Sequence, residues 1–166
     1  MKKNLVFINT HPIQYFVPLY REIEKINFFN QKIIYLTNHG TNSKFDKEFN
    51  TKFKWDIPLL EGYNYDFIKN NSLSPGVYNG FFGVVNFSII KKLYNLKKNT
   101  IVVVHGWSPL SCFASIVFSK IFGSKTCLRA ETPLSHEIKK SKVKLFFRKI
   151  IFKYFLFKMI DKFLFI

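Results

Sequence analysis

The sequence has few of the residues that build covalent or metal-bound frameworks. It contains only two cysteines, Cys112 and Cys127, and both lie in apolar stretches. Buried reduced thiols have such surroundings, whereas disulfide frameworks and zinc sites need more cysteines at regular spacings. The apolar run at residues 5–8 is too short for the core of a secretion signal. These features predict a cytoplasmic protein without a metal centre.

The glycine motifs that bind nucleotides are also missing. Neither G-x-G-x-x-G nor G-x-x-x-x-G-K-[ST] occurs, and segment 80–83 (Gly-Phe-Phe-Gly) does not follow a strand as the dinucleotide motif requires. The sequence has no G-x-S-x-G nucleophile elbow either. A self-contained dehydrogenase, P-loop NTPase or α/β-hydrolase is therefore disfavoured.

Acidic residues are scarce, with 10 against 26 lysines and arginines, which gives a net charge of +16. Only Arg21, Arg129 and Arg148 of these basic residues are arginine. Arginine is favoured where phosphates and bases are held bidentately, so a surface dominated by lysine is more typical of a solvated or membrane-facing surface. We therefore expect no nucleic-acid partner, although the charge alone would allow one.

Apolar periodicity predicts strands that alternate with helices. The predicted strands are residues 4–9, 31–37, 100–104, 125–129 and 162–166, and the predicted helices are residues 13–25, 87–96, 109–122 and 140–160. Buried strands separated by helices indicate a mostly parallel sheet with helices on both faces. The expected fold class is a Rossmann-like α/β domain over residues 1–166, with short strands or helices inside 38–86.

Polar and aromatic residues follow several of the predicted strands. They are Thr10, His11 and Gln14; Asn38 and His39; His105, Gly106 and Trp107; and Arg129 and Glu131. Open parallel sheets bind ligands outside the carboxyl ends of their strands, and side chains of these types hold sugar hydroxyls or polar head groups. A single residue of this kind often caps a helix or forms a structural ion pair. Their convergence at one edge predicts a binding site.

The predicted helix 140–160 carries an apolar stripe on each of two opposite faces. One stripe contains Val143, Phe146, Phe147, Ile150, Tyr154 and Phe157, and the other contains Leu145, Phe152, Leu156 and Met159. We expect the first stripe to face the sheet, and the remaining stripe then needs a second partner. That partner is either another domain or an anionic membrane on which the basic helix rests. The membrane alternative describes a non-catalytic basic module that binds an anionic membrane or another polyanion.

The sequence closes on an apolar run at residues 161–166 that has the character of a buried strand without its turn. We expect such a chain to be the first half of a larger protein with two domains.

Four segments resemble the N-terminal domain of GT-B glycosyltransferases of the family 4 type. They are 9–16 (Asn-Thr-His-Pro-Ile-Gln-Tyr-Phe, followed by Pro18 and Leu19), 54–63 (Lys-Trp-Asp-Ile-Pro-Leu-Leu-Glu-Gly-Tyr), 104–107 (Val-His-Gly-Trp) and 128–132 (Leu-Arg-Ala-Glu-Thr). The resemblance covers essentially the whole chain. It implies the N-terminal half of a GT-B fold, which holds the acceptor, while a C-terminal domain with an E-x7-E pattern binds the nucleotide-sugar donor. That donor domain is absent from this chain.

The resemblance also implies roles for particular residues. His105 is expected near the donor sugar, and Arg129 and Glu131 match an Arg-Gly-Glu-Ser-like segment at the cleft, from which Ala130 and Thr132 depart. His105 and Glu131 are thus the candidate catalytic residues. The candidate substrate-binding residues are His11, Gln14, Trp107 and Arg129. Enzymes of this kind are expected to need no metal or other cofactor.

The function expected from the resemblance is transfer of a sugar from a nucleotide-sugar to a glycan or lipid-linked acceptor, in the synthesis of cell-surface polysaccharide. The chain alone is expected to be inactive because it has no donor domain. Helix 140–160 is the candidate contact with the inner face of the membrane.

Overall fold

A computed structural model of the chain describes residues 2–41, 45–46, 51–52, 57–96, 98–129 and 142–164. The strands are β1 (Lys3–Asn9), β2 (Phe29–Tyr35), β3 (Phe45–Asp46), β4 (Thr51–Lys52), β5 (Tyr65–Phe67), β6 (Ile101–His105), β7 (Lys125–Arg129) and β8 (Lys162–Leu164). Six of them form one sheet in the order β5-β2-β1-β6-β7-β8, in which every pair is parallel. Strands β3 and β4 form a separate antiparallel pair.

Helices connect these strands. The described helices are α1 (Val17–Ile26), α2 (Ser88–Tyr94), α3 (Leu110–Ile121) and α4, which joins an α-helical segment Lys142–Ile150, a π-helical segment Ile151–Leu156 and an α-helical segment Phe157–Met159. Short 3₁₀ turns lie at Gln14–Phe16 and Phe81–Gly83. The strands and turns between residues 57 and 86 agree with the expectation that short elements lie within 38–86.

Both faces of the sheet are covered. Successive side chains of a strand point to opposite faces, so Leu5 and Phe7 of β1 pack with Val17 and Tyr20 of α1. On the other face, Val6 and Ile8 belong to a core to which three helices contribute. Those contributions are Ile89 and Leu93 of α2, Cys112 and Ile116 of α3, and Leu156 of α4. The predicted Rossmann-like α/β class, with helices on both faces, is confirmed.

The observed bounds of α1 and β2 differ from the predicted ones because of the backbone conformation at each end of α1. Helix α1 starts at Val17, after the 3₁₀ turn, and Pro18 lies in its first turn, where no helical N–H is needed. It ends at Ile26 and is capped by Asn27, whose N–H donates to the carbonyls of Ile23 and Glu24 and whose left-handed φ of 56° turns the chain out of the helix. Strand β2 therefore begins at Phe29, earlier than the predicted residue 31.

The orientation of α4 is opposite to the one predicted from its stripes. Leu156 is fully buried, and Leu145, Phe152 and Met159 of the same stripe are partly buried. The stripe that was expected to face the sheet is exposed instead. Both stripes are apolar, so periodicity cannot choose between them. The choice depends on ring contacts from elsewhere in the fold, where Phe152 lies 4.7 Å from the Trp107 ring and Phe155 stacks on Phe113 at 5.9 Å.

Strand β8 was predicted to be buried, and this is wrong for the described residues. Lys162, Phe163 and Leu164 are all exposed, with Phe163 and Leu164 each 39% accessible. In the described part of the sheet β8 is an edge strand that pairs only with β7. The position of β8 at the edge of the sheet explains this exposure, because the described helices do not fully cover either face of the strand. Residues 165–166 of the predicted strand lie outside the described part.

Both cysteines are buried and reduced, as the sequence predicts. Burial raises the pKa of the Cys112 thiol to about 12, so this group stays protonated and unreactive at neutral pH. Within the described ranges, no helix combines the length and apolar character needed to cross a bilayer.

The orientation of α4 predicts different effects for two substitutions on the same helix. Leu156→Ala should lower the free energy of unfolding by about 2–5 kcal/mol, because it empties a filled core position. Phe146→Ala should change it by less than about 1 kcal/mol, because this side chain is 61% exposed. Urea denaturation of both variants measures the difference. The opposite ranking would show that the Phe146 stripe faces the sheet.

Candidate functional site at the carboxyl edge of the sheet

Backbone hydrogen bonds continue past the carboxyl ends of the strands and hold the following residues together. The Leu36 N–H donates to the Asn9 carbonyl at 2.9 Å, and the Thr37 N–H donates to the Thr10 carbonyl at 2.8 Å. At the next pair, His105 and Arg129 are in register, and the Gly106 N–H donates to the Arg129 carbonyl at 2.8 Å. The strand-end residues therefore lie along one edge.

His105 lies in an aromatic enclosure below this edge. Its ring centroid is 4.3 Å from that of Phe16 and 5.9 Å from that of Phe7. The guanidinium carbon of Arg129 lies 4.3 Å from the centroid of the same Phe16 ring. Phe16 belongs to the 3₁₀ turn that Gln14 begins, so this turn brings three of the predicted residues, Gln14, His105 and Arg129, to one region.

The surroundings of His105 keep its imidazole neutral. Burial is the main cause that lowers its pKa to about 3, and the positive charge of Arg129 adds to the effect. Both ring nitrogens are buried, and neither has a hydrogen-bond partner among the described residues. A neutral imidazole has one donor and one acceptor nitrogen, so it can orient a hydroxyl group but is a poor proton acceptor at this pKa.

His11 belongs to a second cluster, formed with residues from other loops. The Thr10 hydroxyl and His11 Nδ1 are 2.9 Å apart. The His11 ring meets that of His39 edge-on at 5.2 Å, and His39 meets Tyr78 in the same way at 5.8 Å. Burial first, and then His39, lowers the pKa of His11 to about 4. His11 is therefore also neutral at physiological pH.

A cavity of about 570 Å³ opens between the ends of β2 and β5, next to this second cluster. It is lined by Thr37, Asn38, His39, Phe67, Ile68, Lys69, Asn70, Pro75, Gly76 and Val77. Its size is within the range of about 300–1,000 Å³ that is typical of small-molecule sites. Asn38, His39 and Lys69 are exposed and bring an amide, an imidazole and an ammonium group to its wall.

Two asparagines that the sequence analysis did not select hold the cavity in shape. The buried side-chain amide of Asn86 donates to the carbonyls of Leu36 at 2.9 Å and Lys69 at 2.7 Å, and so ties the ends of β2 and β5 together. The Asn70 side-chain oxygen accepts from the Val85 N–H at 2.9 Å. The hydrogen-bond partners of both asparagines are backbone groups distant in sequence. A contact of this kind gives no periodic pattern in the sequence, so neither asparagine could be selected from it.

A close glycine contact completes the wall formed by residues 70–85. The Gly76 N–H donates to the Gly83 carbonyl at 3.0 Å. A Cβ atom on Gly83 would lie 2.2 Å from the Gly76 carbonyl oxygen, so a larger residue at this position would break the contact. The wall therefore depends on glycine at residue 83.

Trp107 is not brought to the same place as His105, although His105 ends β6 and Trp107 lies only two residues further on. The His105 ring contacts residues of the core on the α1 face, whereas Trp107 packs against the core on the α4 face. There its ring meets Phe152 at 4.7 Å and lies 4.6 Å below the Arg148 guanidinium. Glu131, Ala130 and Thr132, and residues 54–56 of the second motif, lie outside the described residues.

The edge therefore offers neutral imidazoles, amides and cationic groups. Among the residues that the structure describes, no group of three or more His, Cys, Asp or Glu side chains could hold a metal ion. The fold and this edge define a Rossmann-like α/β protein with a polar cavity at the carboxyl ends of its strands. The chain matches no protein-family model, no curated protein and no solved structure.

The low pKa of His105 predicts a pH dependence of stability. Unfolding returns the pKa from about 3 to the ordinary 6.5, so the unfolded state binds the proton first as the pH falls. This contribution to stability is complete above pH 6.5 and is lost as the pH falls toward 3. Between pH 7 and pH 5, the wild type should lose more free energy of unfolding than His105→Phe, which keeps an aromatic ring there.

Proton NMR of the histidine ring signals measures the same property directly. The His105 signal should not shift between pH 8 and pH 5. A His105 titration with a midpoint near 6.5, or equal pH dependence of stability in the two proteins, would contradict the burial argument.

Proposed function

We propose that this chain is the acceptor-side domain of a glycosyltransferase that moves a sugar from a nucleotide-sugar to a glycan or lipid-linked acceptor. The observation that supports this most is the cavity of about 570 Å³ beside hydrogen-bonding side chains at the carboxyl edge of a parallel sheet. Sugars are neutral and rich in hydroxyl groups, and the edge supplies neutral donors and acceptors. The four motifs that resemble family 4 glycosyltransferases support the same proposal.

The cavity is the proposed acceptor site. Asn38 can donate to and accept from hydroxyl groups, and Lys69 can donate to ring or hydroxyl oxygens. Tyr78 is 75% exposed and contacts His39, so its ring is available to the apolar face of a sugar. The His11 ring packs edge-on against the His39 ring and so supports its position beside the cavity.

The cluster formed by Phe16, His105 and Arg129 is the proposed donor side of the domain. In this role the neutral His105 hydrogen-bonds a hydroxyl of the transferred sugar, and Arg129 places positive charge near the leaving diphosphate. Because both nitrogens of His105 are buried, a sugar reaches them only when side chains around the ring, Phe16 among them, move. Gln14 lies in the same turn and would contact the substrate from there. Glu131 remains the second proposed catalytic residue, as the resemblance implies.

The donor nucleotide is assigned to a second domain. The described edge has no glycine-rich phosphate motif, and the sequence has no E-x7-E pattern. This chain is therefore expected to bind saccharide but not to transfer sugar by itself.

Saturation-transfer NMR with a panel of mono- and oligosaccharides tests the acceptor site. A saccharide that binds the wild type should bind the double variant Asn38→Ala/Lys69→Ala at least tenfold more weakly, because two hydrogen bonds of about 1 kcal/mol each are lost. The matched control is Asn95→Ala/Lys91→Ala, which removes the same residue types from exposed positions within and directly after α2. It should bind as the wild type does.

Three results would contradict the proposal. The first is saccharide binding that the Asn38/Lys69 variant leaves unchanged, and the second is no binding by any saccharide in the panel. The third is transfer from a radiolabelled nucleotide-sugar by this chain alone, because the proposal places the donor site in a second domain.

A further inference from the structure

An apolar stripe on α4 is open to solvent. It consists of Val143, Phe146, Phe147, Ile150, Tyr154 and Phe157, and we call it the α4 stripe. Their exposed fractions run from 39% for Ile150 to 64% for Val143. A continuous exposed surface of this kind on a single helix marks an interaction site.

The stripe cannot turn inward. Leu156 and Ile160 occupy the core on the opposite side, and Arg148 lies over the Trp107 ring at 4.6 Å. After the helix, the Asp161 carboxylate accepts from the Thr126 N–H at 2.8 Å, and the Asp161 N–H donates to the Thr126 carbonyl at the same distance. The outward orientation of the stripe is therefore fixed by the fold.

Lysines border the stripe. Lys149, Lys153 and Lys158 alternate with the residues of the stripe along the helix, and all three are exposed. The Lys153 ammonium lies 5.1 Å from the centroid of the Tyr154 ring. Residues 142–159 contain no acidic residue. Long lysine side chains beside aromatic groups can extend to charged head groups while the rings enter the apolar layer below.

The charge argues against a protein occupant. A second copy of this chain would bring the same positive flank to the contact and meet it with like charge. An anionic lipid surface matches both features, because it has phosphates for the lysines and a hydrocarbon layer for the rings.

We propose that the α4 stripe docks the protein on the surface of a bilayer that contains anionic phospholipid, with α4 parallel to the bilayer plane. The proposal rests on α4 alone and does not depend on the proposed transferase function.

Flotation with vesicles tests it. At low salt the wild type should float with phosphatidylcholine vesicles that contain phosphatidylglycerol, and not with phosphatidylcholine alone. The variant Phe146→Ser/Phe147→Ser should reduce the bound fraction at least tenfold. The control Ile26→Ser/Phe28→Ser removes side chains that are 70% and 65% exposed at the end of α1, and it should float as the wild type does.

A second pair of variants distinguishes the effect of the lysines on α4 from the effect of the protein's overall net charge. Lys149→Glu/Lys153→Glu should weaken vesicle binding at least roughly tenfold. Lys91→Glu/Lys98→Glu changes the net charge equally at exposed positions outside α4 and should have a much smaller effect. This pair leaves the apolar stripe intact, so it still tests the proposal if the phenylalanine variant does not fold.

Several outcomes would overturn the docking proposal. They are no flotation of the wild type at low salt, equal binding to neutral vesicles, or equal losses from the two lysine pairs. Light scattering that shows a dimer, dissociated by Phe146→Ser/Phe147→Ser, would instead assign the stripe to contact between copies of the chain.

Discussion

Burial of the central strands on both faces is the constraint on which the rest of the structure depends. Strands β1 and β6 are covered by α1 on one side and by α2, α3 and α4 on the other, and their central residues, 5–8 and 101–104, are all apolar. Polar groups of these strands are therefore concentrated after the carboxyl ends, where the chain leaves the sheet. The same parallel ladder that buries the strands brings those polar ends to one edge. Core formation and site formation are thus two results of one arrangement.

The edge separates into parts with different electrostatic character. Around Phe16, a buried neutral histidine lies near the cation of Arg129, in a region from which solvent is largely excluded. At the cavity, the polar groups of Asn38, His39 and Lys69 are exposed. The polar groups at the cavity are therefore accessible to a ligand, whereas the ring nitrogens of His105 are not. The buried side chain of Asn86 joins the ends of β2 and β5 through its hydrogen bonds to the carbonyls of Leu36 and Lys69. It supports the wall of the cavity without lining it.

The parts of this structure that the sequence predicts are those with strong local signals. Strand β7 was predicted with its observed bounds, because Gly123, with φ of 82°, stops α3 just before a run of buried residues. The positions of His11, His39, His105 and Arg129 at one edge followed from the order of strands. The orientation of α4 could not be predicted, since its buried stripe packs on Trp107 and on core residues from distant parts of the chain. Asn70 and Asn86 were missed because their roles exist only in the folded backbone.

The π-helical segment Ile151–Leu156 has a consequence for how α4 can vary. This turn holds more residues than an α-helical turn, so it sets the angular relation between the exposed Phe146 and Phe147 before it and the buried Leu156 at its end. Removing one residue from this wide turn would let it close as an ordinary α-helical turn, whereas removing one from the α-helical segment before it would rotate Phe146 and Phe147 by about 100° relative to Leu156. Substitutions on the outer face leave the relation intact. The part of the helix before the wide turn is therefore constrained in length more strictly than in composition.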